Sequence, residues 1–190
     1  MDKADQRQLL DAERIDRIVT RIAHEILERN RGSGRLALVG VLRGGEPVMR
    51  LLSTKLRAIE GVEIPFGTLD IGLYRDDLDR HDRPQLFRTE IGFNLDGRIA
   101  VLVDDVLFTG RTVRSAMDAL MDLGRPAAIQ LAVLIDRGHR ELPIHADYVG
   151  RAFETDYDDK VLCKIGCPGE PDCALLVPHA LNVGGRPKCD

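Results

Sequence analysis

This chain is notable first for what it lacks. No apolar run approaches the length that crosses a bilayer, and the opening residues MDKADQRQLL have no apolar core of the kind a secretion signal carries. The expectation is a cytoplasmic protein with no membrane partner. There is no block of like charge, no internal repeat and no low-complexity tract, which argues against a disordered or fibrous chain. A Gly-x-x-x-x-Gly-Lys-[Ser/Thr] loop is also missing, so the chain is not read as a P-loop nucleotidase. Cysteine is absent until Cys163, and all four cysteines (163, 167, 173 and 189) fall in the tail. A formal net charge of −4 gives no general attraction to phosphate backbones, so any nucleic-acid contact needs a local basic patch.

What is present fits one folded domain over residues 1–190: 44% hydrophobic and 31% charged residues are enough to build and solubilise a core of that length. From Asp11 to about Arg31, Ile15, Ile18, Val19, Ile22 and Ile26 recur at three- and four-residue steps, which predicts a helix capped by Asp11 and ended by Gly32. Its other face gathers Arg17, Thr20, Arg21, His24 and Glu28. Leu36 to Val41 is a short continuous apolar run, the pattern of a strand buried on both faces, and Arg43-Gly44-Gly45 follows as a loop. A helix is expected from Pro47 to Ala58, then one or two strands between Val62 and Leu73.

The charge-dense stretch from about 73 to 95 has no clear period and reads as a functional flap or hood. Beyond it come a strand over Ile99–Val103, a helix over Thr112–Leu123 closed by Gly124 and Pro126, a strand over Ala128–Ile135 interrupted only by Gln130, and a weaker strand over Ala146–Val149. Alternating strands and helices of this kind predict an α/β fold with a mostly parallel central sheet flanked by helices. In such a fold the site is built at the carboxyl ends of the strands.

The stretch VLVDDVLFTGRT, Val101 to Thr112, carries the chemistry. A buried strand leading into Asp104-Asp105 can hold ionised carboxylates only where they meet solvent, a cation or strong donors, so the pair is expected at the strand's exit. Thr109, Gly110, Arg111 and Thr112 then supply two hydroxyls, a flexible turn and the first amides of a helix, whose unsatisfied N–H groups and dipole favour an anion. Carboxylates beside a phosphate nest suit a ligand with hydroxyls at one place and a phosphate nearby, as in a ribose 5-phosphate.

VLVDDVLFTGRT resembles the phosphoribosyl-pyrophosphate (PRPP) motif of type I phosphoribosyltransferases. Ile18–Ile26, the Asp70-Ile71-Gly72-Leu73-Tyr74-Arg75-Asp76-Asp77 stretch and Gln130–Ile144 further resemble the members that act as uracil phosphoribosyltransferases and as RNA-binding attenuation regulators of pyrimidine operons. That resemblance implies transfer of ribose 5-phosphate from PRPP to uracil, giving UMP and pyrophosphate, with Mg2+ held by Asp104 and Asp105 largely through the substrate.

By the same resemblance Asp104, Asp105, Arg43 and Arg75 are catalytic. Gly44, Tyr74, Asp76 and the loop Val106, Leu107, Phe108, Thr109, Gly110, Arg111 and Thr112 bind PRPP, while Ile135, Asp136 and Arg137 read uracil. Thr20, His24, Arg140, His145 and Arg151 face the leader RNA, and a homodimer or larger assembly is implied. The chain departs from the family pattern at Leu42, where Thr is usual, at Phe108, where Tyr is common, and at His145 and Arg151, where Arg and Lys are usual. A hypoxanthine-type base is the alternative substrate, because the PRPP motif does not identify the base.

The divergent tail, about 161–190, packs Cys163, Cys167 and Cys173 into eleven residues. The spacing is not that of a standard ribbon or finger. Reduced thiols are the preferred reading, with a Zn2+ or redox site as the alternative.

Overall fold

A computed structural model describes residues 6–72, 74 and 89–179. Its elements in chain order are β1 (Arg7–Leu10), α1 (Ala12–Asn30), β2 (Leu36–Val41), α2 (Gly45–Glu60), β3 (Phe66–Leu69), β4 (Ile99–Leu107), α3 (Arg111–Leu123), β5 (Ala128–Asp136), β6 (Tyr148–Ala152), β7 (Lys160–Lys164) and β8 (Cys173–Val177). Five strands form a parallel sheet in the order β3-β2-β4-β5-β6, and β1, β8 and β7 form a separate antiparallel sheet.

The central strands are apolar throughout because both faces of the sheet are covered. On one face Ile15, Val19, Ile22 and Ile26 of α1 and Val48, Met49, Leu52 and Leu56 of α2 pack on Leu36, Leu38, Val101, Val103, Ala132 and Leu134. On the other, Val113, Ala116, Ala119 and Leu120 of α3 pack on Val39, Val41, Ala100, Leu102, Leu131 and Val133. Each fully buried leucine, such as Leu102, contributes about 2 kcal/mol through the apolar surface it removes from water. The one polar residue inside β5, Gln130, is satisfied rather than exposed. Its amide exchanges hydrogen bonds with Asn30 at 2.9 and 3.0 Å, and Tyr148 donates to it at 2.8 Å.

Helix α1 follows the pattern expected: Asp11 accepts from the Arg14 amide at 2.8 Å, and the Gly32 amide closes the end on the Leu27 carbonyl at 2.9 Å. Other boundaries differ. Helix α2 begins at Gly45, two residues before Pro47, which lies inside the first turn, where its missing N–H leaves no broken bond. Between Val62 and Leu73 the described residues form one strand, β3, with Thr68 bridged to Glu90. β4 does not stop at Val103 but runs through both aspartates to Leu107, pairing with β5 as far as Asp136. The small sheet of β1, β7 and β8 has no counterpart in the sequence reading.

Candidate active site

In the strand order β3-β2-β4-β5-β6, the chain leaves β2 towards β3 on one side and continues from β4 to β5 and β6 on the other. The order therefore reverses between β2 and β4, and a crevice opens at their carboxyl ends. Into it project the loop after β2, the end of β4 with the turn into α3, and the turn after β5.

Asp104 is only 5% exposed, so the expectation that both carboxylates lie at an open strand exit holds for Asp105 alone, which is half-buried. Burial is tolerated because donors are at hand: Asp104 Oδ1 accepts from the Asp105 amide at 3.0 Å, and Asp105 Oδ1 from the Val106 amide at 2.8 Å. The β2 loop is pressed directly onto this pair. A Cβ at Gly44 would lie 2.4 Å from the Asp105 carboxylate, and one at Gly45 would lie 2.1 Å from the Val103 carbonyl oxygen. Two glycines follow Arg43 because no side chain fits there. Arg43 itself is exposed at the loop's tip, beyond a cis Leu42–Arg43 peptide.

The turn after β4 needs Gly110 at φ 92°, a conformation open to glycine, and α3 starts immediately after it at Arg111. The first-turn amides of α3 thus converge beside Thr109 and Thr112, as an anion nest requires. The Arg111 side chain is braced sideways, with Nε donating to Glu141 Oε2 at 2.6 Å while Tyr157 donates to Glu141 Oε1 at 2.7 Å. Those donors, Tyr157 first, hold the Glu141 carboxyl below its ordinary range.

The turn after β5 lies next to this nest, since Val106 pairs with Ile135 and Leu107 with Asp136. Ile135 is fully buried, and Asp136 Oδ1 accepts from the Gly138 amide at 2.9 Å. Arg137 points inward and is 5% exposed. Its guanidinium donates to Thr155 Oγ1 (3.1 Å) and to the carbonyls of Asp159 (2.6 Å), Asp156 (2.7 Å) and Tyr157 (3.1 Å), and it lies 4.1 Å from the Phe108 ring centroid. It is a post that ties residues 155–159 to the turn after β5 and to the Phe108 ring. Tyr157, His139 and Phe108 stand in mutual ring contact at 5.1 to 5.7 Å around it.

Some expected residues are not brought to the crevice. The Tyr74 phenol donates to Asp122 at 2.7 Å, near the far end of α3 and about 16 Å along the helix from Arg111 at ~1.5 Å rise per residue. Its carbonyl accepts from Ser115 at 2.8 Å, so Tyr74 anchors the start of the 73–95 segment to α3. Arg75 and Asp76 lie outside the described residues. Thr20 and the exposed His24 lie on α1, which Arg21 fastens to β6 by donating to the Val149 and Gly150 carbonyls at 2.9 and 2.6 Å. Exposed Arg151 is on that same strand and exposed His145 on the loop before it, so α1 and β6 share one surface.

The described part of the tail gives the zinc alternative no support, and the expectation of reduced thiols holds for Cys163 and Cys173 but not for Cys167. Cys163 and Cys173 are free thiols on β7 and β8, Cys167 is held in a disulfide, and Cys189 lies outside the described residues. Among the described residues no group of three or more His, Cys, Asp or Glu is arranged to hold a metal. Instead Cys163 lies near the site: burial first, then the negative charge of Asp105 and Asp104, pushes its thiol well above the usual thiol range. Nothing in the sequence signalled this approach, which requires β7 to fold back onto β4.

Residues 5–162 match the phosphoribosyl transferase domain family. The chain is 55% identical over 162 residues to the bifunctional protein PyrR of Pelotomaculum thermopropionicum, covering 85% of this chain and 90% of that protein. The chain belongs to the PyrR family. It is also 52% identical over 175 residues to the bifunctional protein PyrR of Geobacter sulfurreducens, covering 91% of this chain and 98% of that one. A solved hypoxanthine phosphoribosyl transferase from Trypanosoma cruzi superposes with a TM-score of 0.71 at 20% identity, over 90% of this chain and 91% of the other, which establishes a shared type I fold. The residues that match the family model include the stretch Val101–Thr112 that builds the crevice, with its carboxylates on β4 and its glycine turn at the start of α3.

Proposed function

We propose that this chain is a uracil phosphoribosyltransferase that also binds pyrimidine-operon leader RNA in response to UMP. The observation that carries the first half is the adjacency, at one strand end, of two carboxylates and an anion nest within a PyrR-family chain. Asp104 and Asp105 accept hydrogen bonds from the ribose hydroxyls, the 109–112 turn cradles the 5-phosphate, and the 43–45 loop receives the pyrophosphate. Uracil nitrogen attacks the anomeric carbon, forming a C–N bond as the bond to pyrophosphate breaks. Its transition state has oxocarbenium character, so positioning and charge stabilisation suffice and no nucleophilic side chain is needed. Asp104 and Asp105 would hold a magnesium ion, since their carboxylates are the hard oxygen donors that such a cation takes. When bound it neutralises charge on the pyrophosphate.

A panel of labelled bases with PRPP tests the transfer. Uracil is expected to give UMP while hypoxanthine gives no nucleotide above background; the reverse pattern overturns the base assignment. For the second half, the support is the joined surface of α1 and β6 carrying Thr20, His24 and Arg151. Leader RNA is expected to shift on a gel more strongly with UMP present, with His24→Ala and Arg151→Ala weakening the shift by about 1 kcal/mol or more each. A shift indifferent to both substitutions removes this surface from the account.

A further inference from the structure

Arg140 resembles an RNA-facing residue, yet its side chain is 16% exposed and turned towards the site. Nε donates to the Ile144 carbonyl at 3.0 Å, Nη1 to the carbonyls of Phe108 at 2.7 Å and Gly138 at 2.8 Å, and Nη2 pairs with Asp136 Oδ2. Four of its five N–H donors are thereby engaged. Asp136 ends β5 and Gly138 lies in the turn after it, where the base is expected; Ile144 lies further along the same connection, and Phe108 lies in the turn between β4 and α3 that is proposed to hold the phosphate. The two segments also meet through their backbones, the Glu141 and Leu142 amides donating to the Thr109 carbonyl at 3.0 and 3.2 Å. A planar guanidinium is the one side chain whose fixed fork can hold several acceptors from two segments at set angles; a lysine head, a single point, cannot.

We propose that Arg140 is a positioning residue of the transferase, fixing the distance between the phosphate nest and the base-side turn so that the uracil nitrogen meets the anomeric carbon in line. This rests on the transferase reading. Each half-site is built mainly by its own backbone, so loss of the clasp leaves PRPP binding largely intact while the two substrates fall out of register. A misplacement of about 1 Å costs on the order of 100-fold in rate. A residue that only contacted RNA would change neither quantity, and one that only stabilised the fold would lower PRPP binding and turnover together.

The test uses the full chain with Arg140→Ala and Arg140→Lys. kcat for UMP formation is measured beside the PRPP dissociation constant from titration calorimetry, with and without added methylguanidinium. The expected result for R140A is kcat lowered about 100-fold, PRPP affinity within about threefold of the unsubstituted chain, and partial return of kcat with methylguanidinium. R140K, which keeps the charge, shows the same split and covers the case in which R140A does not fold. Unchanged kcat, or parallel loss of kcat and PRPP affinity without rescue, overturns the proposal. Absence of UMP formation by the unsubstituted chain, assayed alongside, is the separate outcome that sinks the transferase reading and takes the proposal with it.

Discussion

The Asp104→Asn/Asp105→Asn double variant is expected to keep its fold and to lose about 10²- to 10⁴-fold in kcat/KM for PRPP. Each carboxylate accepting from a ribose hydroxyl contributes a charge-assisted hydrogen bond of about 1.5–3 kcal/mol, and two of them give roughly 3–6 kcal/mol, at about 1.4 kcal/mol per factor of ten. The fold survives because the local bonds need only an acceptor oxygen. Asn at either position still offers Oδ1 to the amides of Asp105 and Val106, which now lie 3.0 and 2.8 Å from the aspartates. Circular dichroism and a thermal melt alongside the kinetics separate the two effects. Activity within about threefold of the unsubstituted chain would remove the carboxylates from the substrate site.

Arg137→Ala is expected to be the most destabilising substitution near the site. The guanidinium satisfies three carbonyls and the Thr155 hydroxyl and covers the Phe108 ring. Truncation strands the acceptors that water cannot reach, at about 1–3 kcal/mol apiece, and two such groups give a loss of about 2–6 kcal/mol. In a chain of this length that lowers Tm by about 5–20 °C at roughly 2–4 °C per kcal/mol. Arg137→Lys recovers little, because one ammonium cannot replace a fork that reaches four acceptors. Equal melting of R137A and the unsubstituted chain would show that residues 155–159 are held by something other than Arg137.

How much of this could be read from sequence depends on whether the signal was local. Strands β2, β4 and β5 announced themselves as apolar runs, interrupted only by Gln130 in β5 and by the aspartates towards the end of β4, because a parallel sheet covered on both faces has no polar side to alternate with. The turn from Thr109 into α3 was legible for a similar reason, since it follows the strand directly and is built from adjacent residues. The small sheet was not: Arg7–Leu10 and Cys173–Val177 are four- and five-residue strands from opposite ends of the chain, and only their pairing makes them strands.

Side-chain direction was equally hidden. Arg137 was expected to read uracil and Arg140 to face RNA, but the carbonyls that draw them inward belong to residues 155–159 in one case and to Phe108, Gly138 and Ile144 in the other. Cys163 looked like part of a cysteine cluster because Cys167 and Cys173 are close in sequence. In β7 it is instead turned towards β4 and Asp105, a long-range contact with no periodic trace.

The most direct measurement is a crystal structure of the full chain with UMP. The 5-phosphate is expected against the first-turn amides of α3 at residues 110–112, both ribose hydroxyls on Asp104 and Asp105, and the uracil ring beside the turn at 136–138. UMP seated with its ribose away from Asp104 and Asp105, or its phosphate away from the start of α3, would contradict that placement.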